Sequence, residues 1–112
     1  MKQIYHMTDN LIDSIKESSY YKRYQECLMN LKKQEEIYEK YNQFRRKYYE
    51  LTNSGEDNFS EIEKLQQEYH TVLSKTAVVE FMEAEDRICI IMQEMYTMLA
   101  ENLEFDMDFM NQ

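Results

Sequence analysis

Apolar residues recur every three or four positions along most of the chain, which is the spacing of one face of an α-helix. After Ser18 and Ser19, one apolar face is formed by Tyr21, Tyr24, Leu28 and Leu31. The next segment repeats the pattern in steps of four and three, as in a short coiled-coil seam, at Ile37, Tyr41, Phe44, Tyr48 and Leu51. The pattern predicts a chain of consecutive amphipathic helices.

Polar residues between these faces mark the ends of five predicted helices. Thr8 or Asp9 can cap the first helix, and Ser60 with Glu63 forms a capping box for the fourth. Gly55 lies in a polar loop and can adopt the left-handed conformation that ends a helix. We therefore predict helices over about residues 9–17, 19–33, 35–53, 61–73 and 76–105.

The fifth predicted helix is longer than the body of the protein. About 30 residues at about 1.5 Å each span about 45 Å, whereas a compact domain of this length is about 34 Å across. Unless the helix is kinked or shortened, its apolar stripe extends beyond its own bundle. Burial stabilises apolar surface by about 25 cal/mol per Å², so we predict that a partner helix covers the stripe. The predicted partner interface consists of Phe81, Ile88, Met92, Met95, Tyr96, Leu99 and Leu103.

The near absence of glycine and proline decides the fold class. Glycine occurs once among the 112 residues and proline is absent, whereas strands joined by tight hairpins usually need both. We predict an all-α protein: an antiparallel bundle of about five helices with a long C-terminal helix, which associates as a dimer. Residues 1–112 are predicted to form a single helical domain, with mobile tails at 1–8 and 104–112.

The charge of the chain is distributed unevenly, and this distribution limits the kinds of partner that it can bind. The net charge is −9, and residues 80–112 hold nine acids against the single base Arg87. Such a surface repels polynucleotides and anionic membranes, so neither is an expected partner. A basic protein partner remains an open alternative to self-association. There is no signal-peptide pattern or long apolar run, and Cys27 and Cys89 lie within helices, so we predict a cytoplasmic protein.

Residues suited to catalysis or cofactor binding are scarce, and we predict no enzyme activity and no cofactor. His6 and His70 are the only histidines, so a nucleophile with an adjacent base is not indicated. One glycine cannot form a phosphate-binding loop. The alternative function is a metal or small-ligand bundle lined by carboxylates such as Glu80 and Glu83, although Glu-x-x-His motifs are absent. A direct RNA-binding role is a third option that the tyrosines do not favour, because they follow the apolar stripes.

The C-terminal residues alternate acids with large apolar side chains. Past the helix end, this pattern is typical of a short recognition segment that docks in a basic apolar groove. The candidate residues are Phe105, Asp106, Met107, Asp108 and Phe109. The alternative is a frayed terminus without a role.

Three segments together resemble the YlbF/YmcA family, which includes the YheA-like proteins. They are the run Ile15–Tyr24, the aromatic stripe with the Gly55 loop that follows it, and the run Val79–Glu85 that opens the last helix. The likeness extends over about residues 9–103. It implies a small bacterial helical bundle, dimeric or hetero-oligomeric and non-enzymatic, that acts in competence, sporulation and biofilm regulation. Family members also join a complex that assists ribonuclease Y in mRNA maturation.

Two departures from the family pattern limit what the resemblance implies. Lys33-Gln34-Glu35 stands where the family often has Asp-Pro, and residues 103–112 contain no cysteine. Members that form the complex carry C-terminal cysteines linked to an iron–sulfur cluster, so no cluster ligand can be assigned here. We therefore expect a helical adaptor that works through homo- or hetero-oligomeric association, with a second copy or a paralogous helical partner.

Overall fold

The computed structural model describes residues 1–104, 106 and 108, and these form helices and connecting turns without a strand. The elements are α1 (Lys2–Glu17), α2 (Ser19–Lys33), α3 (Glu35–Thr52), α4 (Phe59–Glu68), α5 (His70–Leu73) and α6 (Thr76–Asn102). The all-α prediction is confirmed. The described part of the chain has six helices where five were predicted, because the predicted fourth helix is interrupted at Tyr69, whose ψ is 15°.

Helix boundaries differ from the predictions at both termini. The first helix begins at Lys2, so residues 2–8, which were predicted to be a tail, belong to α1. No glycine or proline interrupts this segment, and its apolar residues keep helical spacing. The last helix ends at Asn102, three residues before the predicted end, and its 27 residues span about 40 Å.

Capping residues explain where some helices begin. Ser18 has an extended backbone, and its hydroxyl accepts a hydrogen bond from the Tyr21 N–H at 3.3 Å, as its sequence position predicts. The predicted capping box at Ser60 is wrong, because α4 already begins at Phe59. Instead, the Asn58 side-chain amide donates to the Leu51 carbonyl at 2.8 Å and ties the loop to the end of α3. Gly55 has a φ of 76°, the left-handed conformation expected for it.

The core is centred on α2 and the first half of α6, and α3, α4 and α5 pack around it. Its buried residues are Cys27, Leu31, Tyr41, Phe44, Leu65, Tyr69, Val72, Val78, Phe81 and Ala84. The α2 and α6 helices run antiparallel, since Tyr24 contacts Phe81 while Ser19 shares a cleft with Arg87 further along α6. Aromatic contacts and apolar burial thus hold one end of the long helix firmly in the bundle.

The molecule is elongated. Its Cα radius of gyration is 17.8 Å and its extents are 46 × 37 × 21 Å, whereas a compact domain of this length has a radius of gyration of about 13 Å. At about 40 Å, α6 is nearly as long as the 46 Å molecule, and the buried core covers only its first half.

Candidate interaction surfaces

The α6 helix changes from buried to exposed along its length. Val78, Phe81 and Ala84 are buried in the core. Beyond Ile91, five large apolar side chains are between 57% and 63% exposed, and these are Met92, Tyr96, Met98, Leu99 and Leu103. Ala100 is a small buried exception in this half. Their spacing places Met92, Tyr96, Leu99 and Leu103 on one side of α6, which we call the distal α6 face, and Met98 on another side.

The predicted partner interface divides into three parts in the structure. Met92, Tyr96, Leu99 and Leu103 belong to the distal α6 face, and Ile88 and Met95 are half-buried. The assignment of Phe81 to the partner interface is wrong, because its side chain is only 1% exposed and its ring packs between Tyr24 and Tyr41. A side chain enclosed by its own bundle has no surface to offer to a partner. The heptad spacing that grouped Phe81 with Ile88 and Met95 describes one helix face, half of which α2 and α3 already cover.

A second exposed apolar surface lies on α1 and was not predicted. None of the α1 residues is buried. Its large exposed side chains, which we call the α1 face, are Ile4, Tyr5, Met7, Leu11 and Ile12, at 43% to 64% exposure. The spacing of seven residues from Ile4 to Leu11 and from Tyr5 to Ile12 is the signal that points to a longer first helix.

The predicted tail segment is described only in part. Phe105, Met107 and Phe109 lie outside the described residues, so the recognition-segment hypothesis stays a prediction. Asp106 and Asp108 are exposed, and the Asp108 N–H donates to Asp106 Oδ1 at 3.0 Å.

A groove of about 850 Å³ lies between α3 and α6. Tyr41, Phe44, Tyr48, Met82 and Cys89 contribute its apolar surface. Tyr48 was predicted to be in the core but is 40% exposed, because the groove opens beside it. Sequence spacing cannot reveal this groove, since its walls are about forty residues apart in the chain and meet only in the folded bundle.

Arg45 joins the two walls of the groove. Its guanidinium lies 4.7 Å from the centroid of the Tyr41 ring and 5.4 Å from that of Phe81, within the range of cation–π attraction. It also donates a hydrogen bond to Asn42 Oδ1 and lies 3.9 Å from Glu85 Oε2. The charge of Arg45 is therefore committed to partners within the molecule.

Burial also perturbs several titratable groups of the core. Burial, with the Glu85 carboxylate as a smaller cause, raises the pKa of the Tyr24 hydroxyl, and burial raises the pKa of Tyr41. Burial likewise raises the pKa of the Cys27 thiol, which keeps it protonated and unreactive near neutral pH. Cys89, by contrast, is an exposed free thiol.

The two carboxylates considered for metal binding line one cleft, which they share with Arg23 and Arg87. Glu80 Oε2 lies 3.9 Å from Arg23 Nη2, and Glu83 borders the α3–α6 groove. Among residues 1–104, 106 and 108, no group of three or more His, Cys, Asp or Glu side chains is arranged to hold a metal ion. Within the same part of the chain, no helix combines the length and apolar content needed to span a membrane.

Comparison with known proteins shows which family the chain resembles. A family model described as control of competence regulator ComK, YlbF/YmcA, matches residues 4–104. A relative from Caldicellulosiruptor bescii, described as a UPF0342 protein, is 26% identical over 109 residues that cover 94% of this chain and 92% of the relative. No solved structure matches the chain.

The fold and its surfaces define a class: small all-α proteins in which part of the apolar helix surface is left uncovered by the bundle itself. The chain belongs to the YlbF/YmcA family of competence-associated regulators, since the family model covers nearly all of it. The resemblance noted in the sequence is confirmed, and the match begins at residue 4, five residues before the range of about 9–103 inferred from the sequence.

Proposed function

We propose that this protein is a non-enzymatic regulator that acts by homo- or hetero-oligomeric association through the α1 face and the distal α6 face. The observation that carries the proposal is that the nine large apolar side chains of these two faces are 43% to 64% exposed. Monomeric proteins rarely expose large contiguous apolar surfaces. Such a surface along a helix therefore indicates an interaction site.

The free energy gained by burying these side chains supports association. Full burial of a Leu, Ile or Met side chain contributes about 1.5–3 kcal/mol, so covering side chains that are about 60% exposed contributes about 1 kcal/mol each. Nine of them supply a gross stabilisation on the order of 10 kcal/mol, which is comparable to the cost of ordering two chains relative to one another. A second copy or a paralogous helical chain presents the matching apolar faces.

Membership in the family supports a role in a bacterial regulatory complex. We propose that the complex serves processes of the kind that the resemblance implies, such as competence, sporulation, biofilm formation or ribonuclease Y-dependent mRNA maturation. Because the chain has no C-terminal cysteine from Leu103 onward, the proposed regulation works through protein contacts without an iron–sulfur cluster.

Size-exclusion chromatography with light scattering tests the association. Replacing Leu99 and Leu103 by glutamate places two charges in the distal α6 face, and both side chains are exposed, so the fold is expected to survive. We expect the oligomer to dissociate to monomers, because an unpaired charge at an apolar contact costs several kcal/mol.

Met29→Glu with Phe59→Glu is a matched control. These side chains are 60% and 69% exposed and lie on other helices, so the same two charges should leave the molecular mass unchanged. An oligomer that persists in the Leu99 and Leu103 variant, but dissociates in the control, would contradict the assignment of this surface.

A further inference from the structure

The α3–α6 groove is lined by residues other than those of the α1 face and the distal α6 face, and its last α6 residue, Cys89, lies one turn before Met92. It lies beside the first half of α6, whereas the distal α6 face begins at Met92. Its volume of about 850 Å³ is enough for several large side chains. Tyr48 and Met82, at 40% and 41% exposure, present partly uncovered apolar surface from opposite walls.

The α6 wall of this groove carries uncompensated negative charge. Glu83, Glu85 and Asp86 follow one another along that wall. Arg45 pairs with Glu85, so these two charges offset one another. Glu83 and Asp86 are exposed and, in the part of the chain that the structure describes, lie beyond salt-bridge distance of any cation. Glu83 also borders a cleft containing Arg87, but the two do not pair.

Charge complementarity decides which kind of occupant fits. Polynucleotides and anionic lipids are repelled by an acidic rim. The exposed apolar helix of a second copy, α1, is also mismatched, because it carries three acids against the two bases Lys2 and Lys16. A basic segment with apolar residues on one side complements both parts of the groove, since its apolar side can contact Tyr48 and Met82 and its bases can pair with Glu83 and Asp86.

The groove lies between two packed helices and has no strand edge, which favours a helix as the occupant. An amphipathic helix binds such a groove by inserting side chains three or four positions apart, while its polar side faces the rim and the solvent. We propose that the α3–α6 groove binds a basic amphipathic helix of a different protein, with Tyr48 and Met82 contacting its apolar side and Glu83 and Asp86 its lysines or arginines. The groove residues that the proposal uses are distinct from those of the α1 face and the distal α6 face.

Three labelled synthetic peptides of about 18 residues test the proposal by fluorescence anisotropy and NMR chemical-shift mapping. The first has Leu or Tyr at helical spacing with Lys and Arg elsewhere. The second replaces the bases by Glu, and the third scrambles the first so that it lacks an apolar face. We expect the first peptide to bind more tightly than the other two, and its binding to shift the amide signals of Tyr48, Met82 and Cys89.

Charge-reversal variants separate the groove from the general acidity of the chain. Glu83→Lys with Asp86→Lys should weaken binding of the first peptide by about tenfold, because two attractions become repulsions. Glu94→Lys with Glu101→Lys changes the net charge equally but alters exposed sites further along α6, and should leave the affinity within about twofold. Met82→Ala should weaken binding by about fivefold through lost apolar contact.

Several outcomes would overturn this assignment. Equal binding of the basic and scrambled peptides, or equal weakening by both pairs of reversals, would show only attraction to net charge. Shifts confined to α1 and the distal α6 face would place the peptide on the other surface. Groove signals that change on dilution of the chain alone would show that a second copy occupies the groove. Because the light-scattering experiment reports on other residues, either proposal can fail while the other stands.

Discussion

Replacing Phe81 by alanine tests which side of α6 faces the core. Phe81 is 1% exposed, and its ring centroid lies 5.4 Å from that of Tyr24 and 6.1 Å from that of Tyr41. The Arg45 guanidinium also lies over the ring, 5.4 Å from its centroid. Removal of the ring therefore leaves a cavity bounded by three side chains, two of which lose an aromatic partner.

The expected destabilisation is large for a domain of this size. Truncation of a buried Phe to Ala typically costs about 3–5 kcal/mol, and the lost aromatic contacts place this site near the upper end of that range. Since small domains are stable by only about 5–15 kcal/mol, the variant should unfold at a much lower urea concentration than the parent.

Urea unfolding followed by far-UV circular dichroism measures this change, at several protein concentrations because association adds to apparent stability. Phe59→Ala is the matched control: its side chain is 69% exposed, and we expect a change within about 0.5 kcal/mol. If Phe81→Ala lowered the free energy of unfolding by less than about 1 kcal/mol and instead dissociated the oligomer, Phe81 would lie in the partner interface, and the packing argument would be refuted.

Two further predictions concern the titratable groups. A thiol reagent such as DTNB should label Cys89 rapidly and Cys27 only after unfolding, since the first thiol is exposed and the second is 1% exposed; rapid labelling of both in the folded protein would contradict the burial of Cys27. Burial raises the pKa of Cys27 above its ordinary 9.0 and that of Tyr41 above 10.0. The folded chain then binds more protons than the unfolded chain between each pair of values, so this stability is fully present below about pH 9 and is lost as pH rises through the folded-state values. The urea midpoint should fall as pH rises above about 9, and Cys27→Ala should reduce that fall; an equal fall in the variant would exclude Cys27 as a cause.

Much of the fold follows from local patterns. The steps of three and four at Tyr41, Phe44 and Tyr48, together with the absence of proline, predict helices because no other regular structure places those side chains on one side. The cap at Ser18 is a contact between residues three apart, so the sequence is sufficient to locate it. Where the local signal was weaker, as between Leu65 and Val72, a single predicted helix is interrupted at Tyr69.

The candidate surfaces were predicted less completely. Leu99 and Leu103 could be assigned to an exposed stripe because the helix is too long for its bundle, a comparison of lengths that requires no structure. The α1 face was missed because Thr8 and Asp9 looked like a cap, although the apolar spacing continues from Ile4. Whether an apolar residue faces a partner or its own core depends on which helices cover it, and Phe81 was misassigned for that reason.

The sequence by itself determined the helices, their amphipathic faces, the excess of acid in the last third and the membership of the family. These depend on residues close together in the chain, or on composition. Only the tertiary structure decided that Phe81 is enclosed, that α1 remains uncovered, and that Tyr48 and Met82 meet across a groove with an acidic rim. Those outcomes depend on how helices distant in sequence pack, since the same apolar stripe is core where another helix covers it and binding surface where none does.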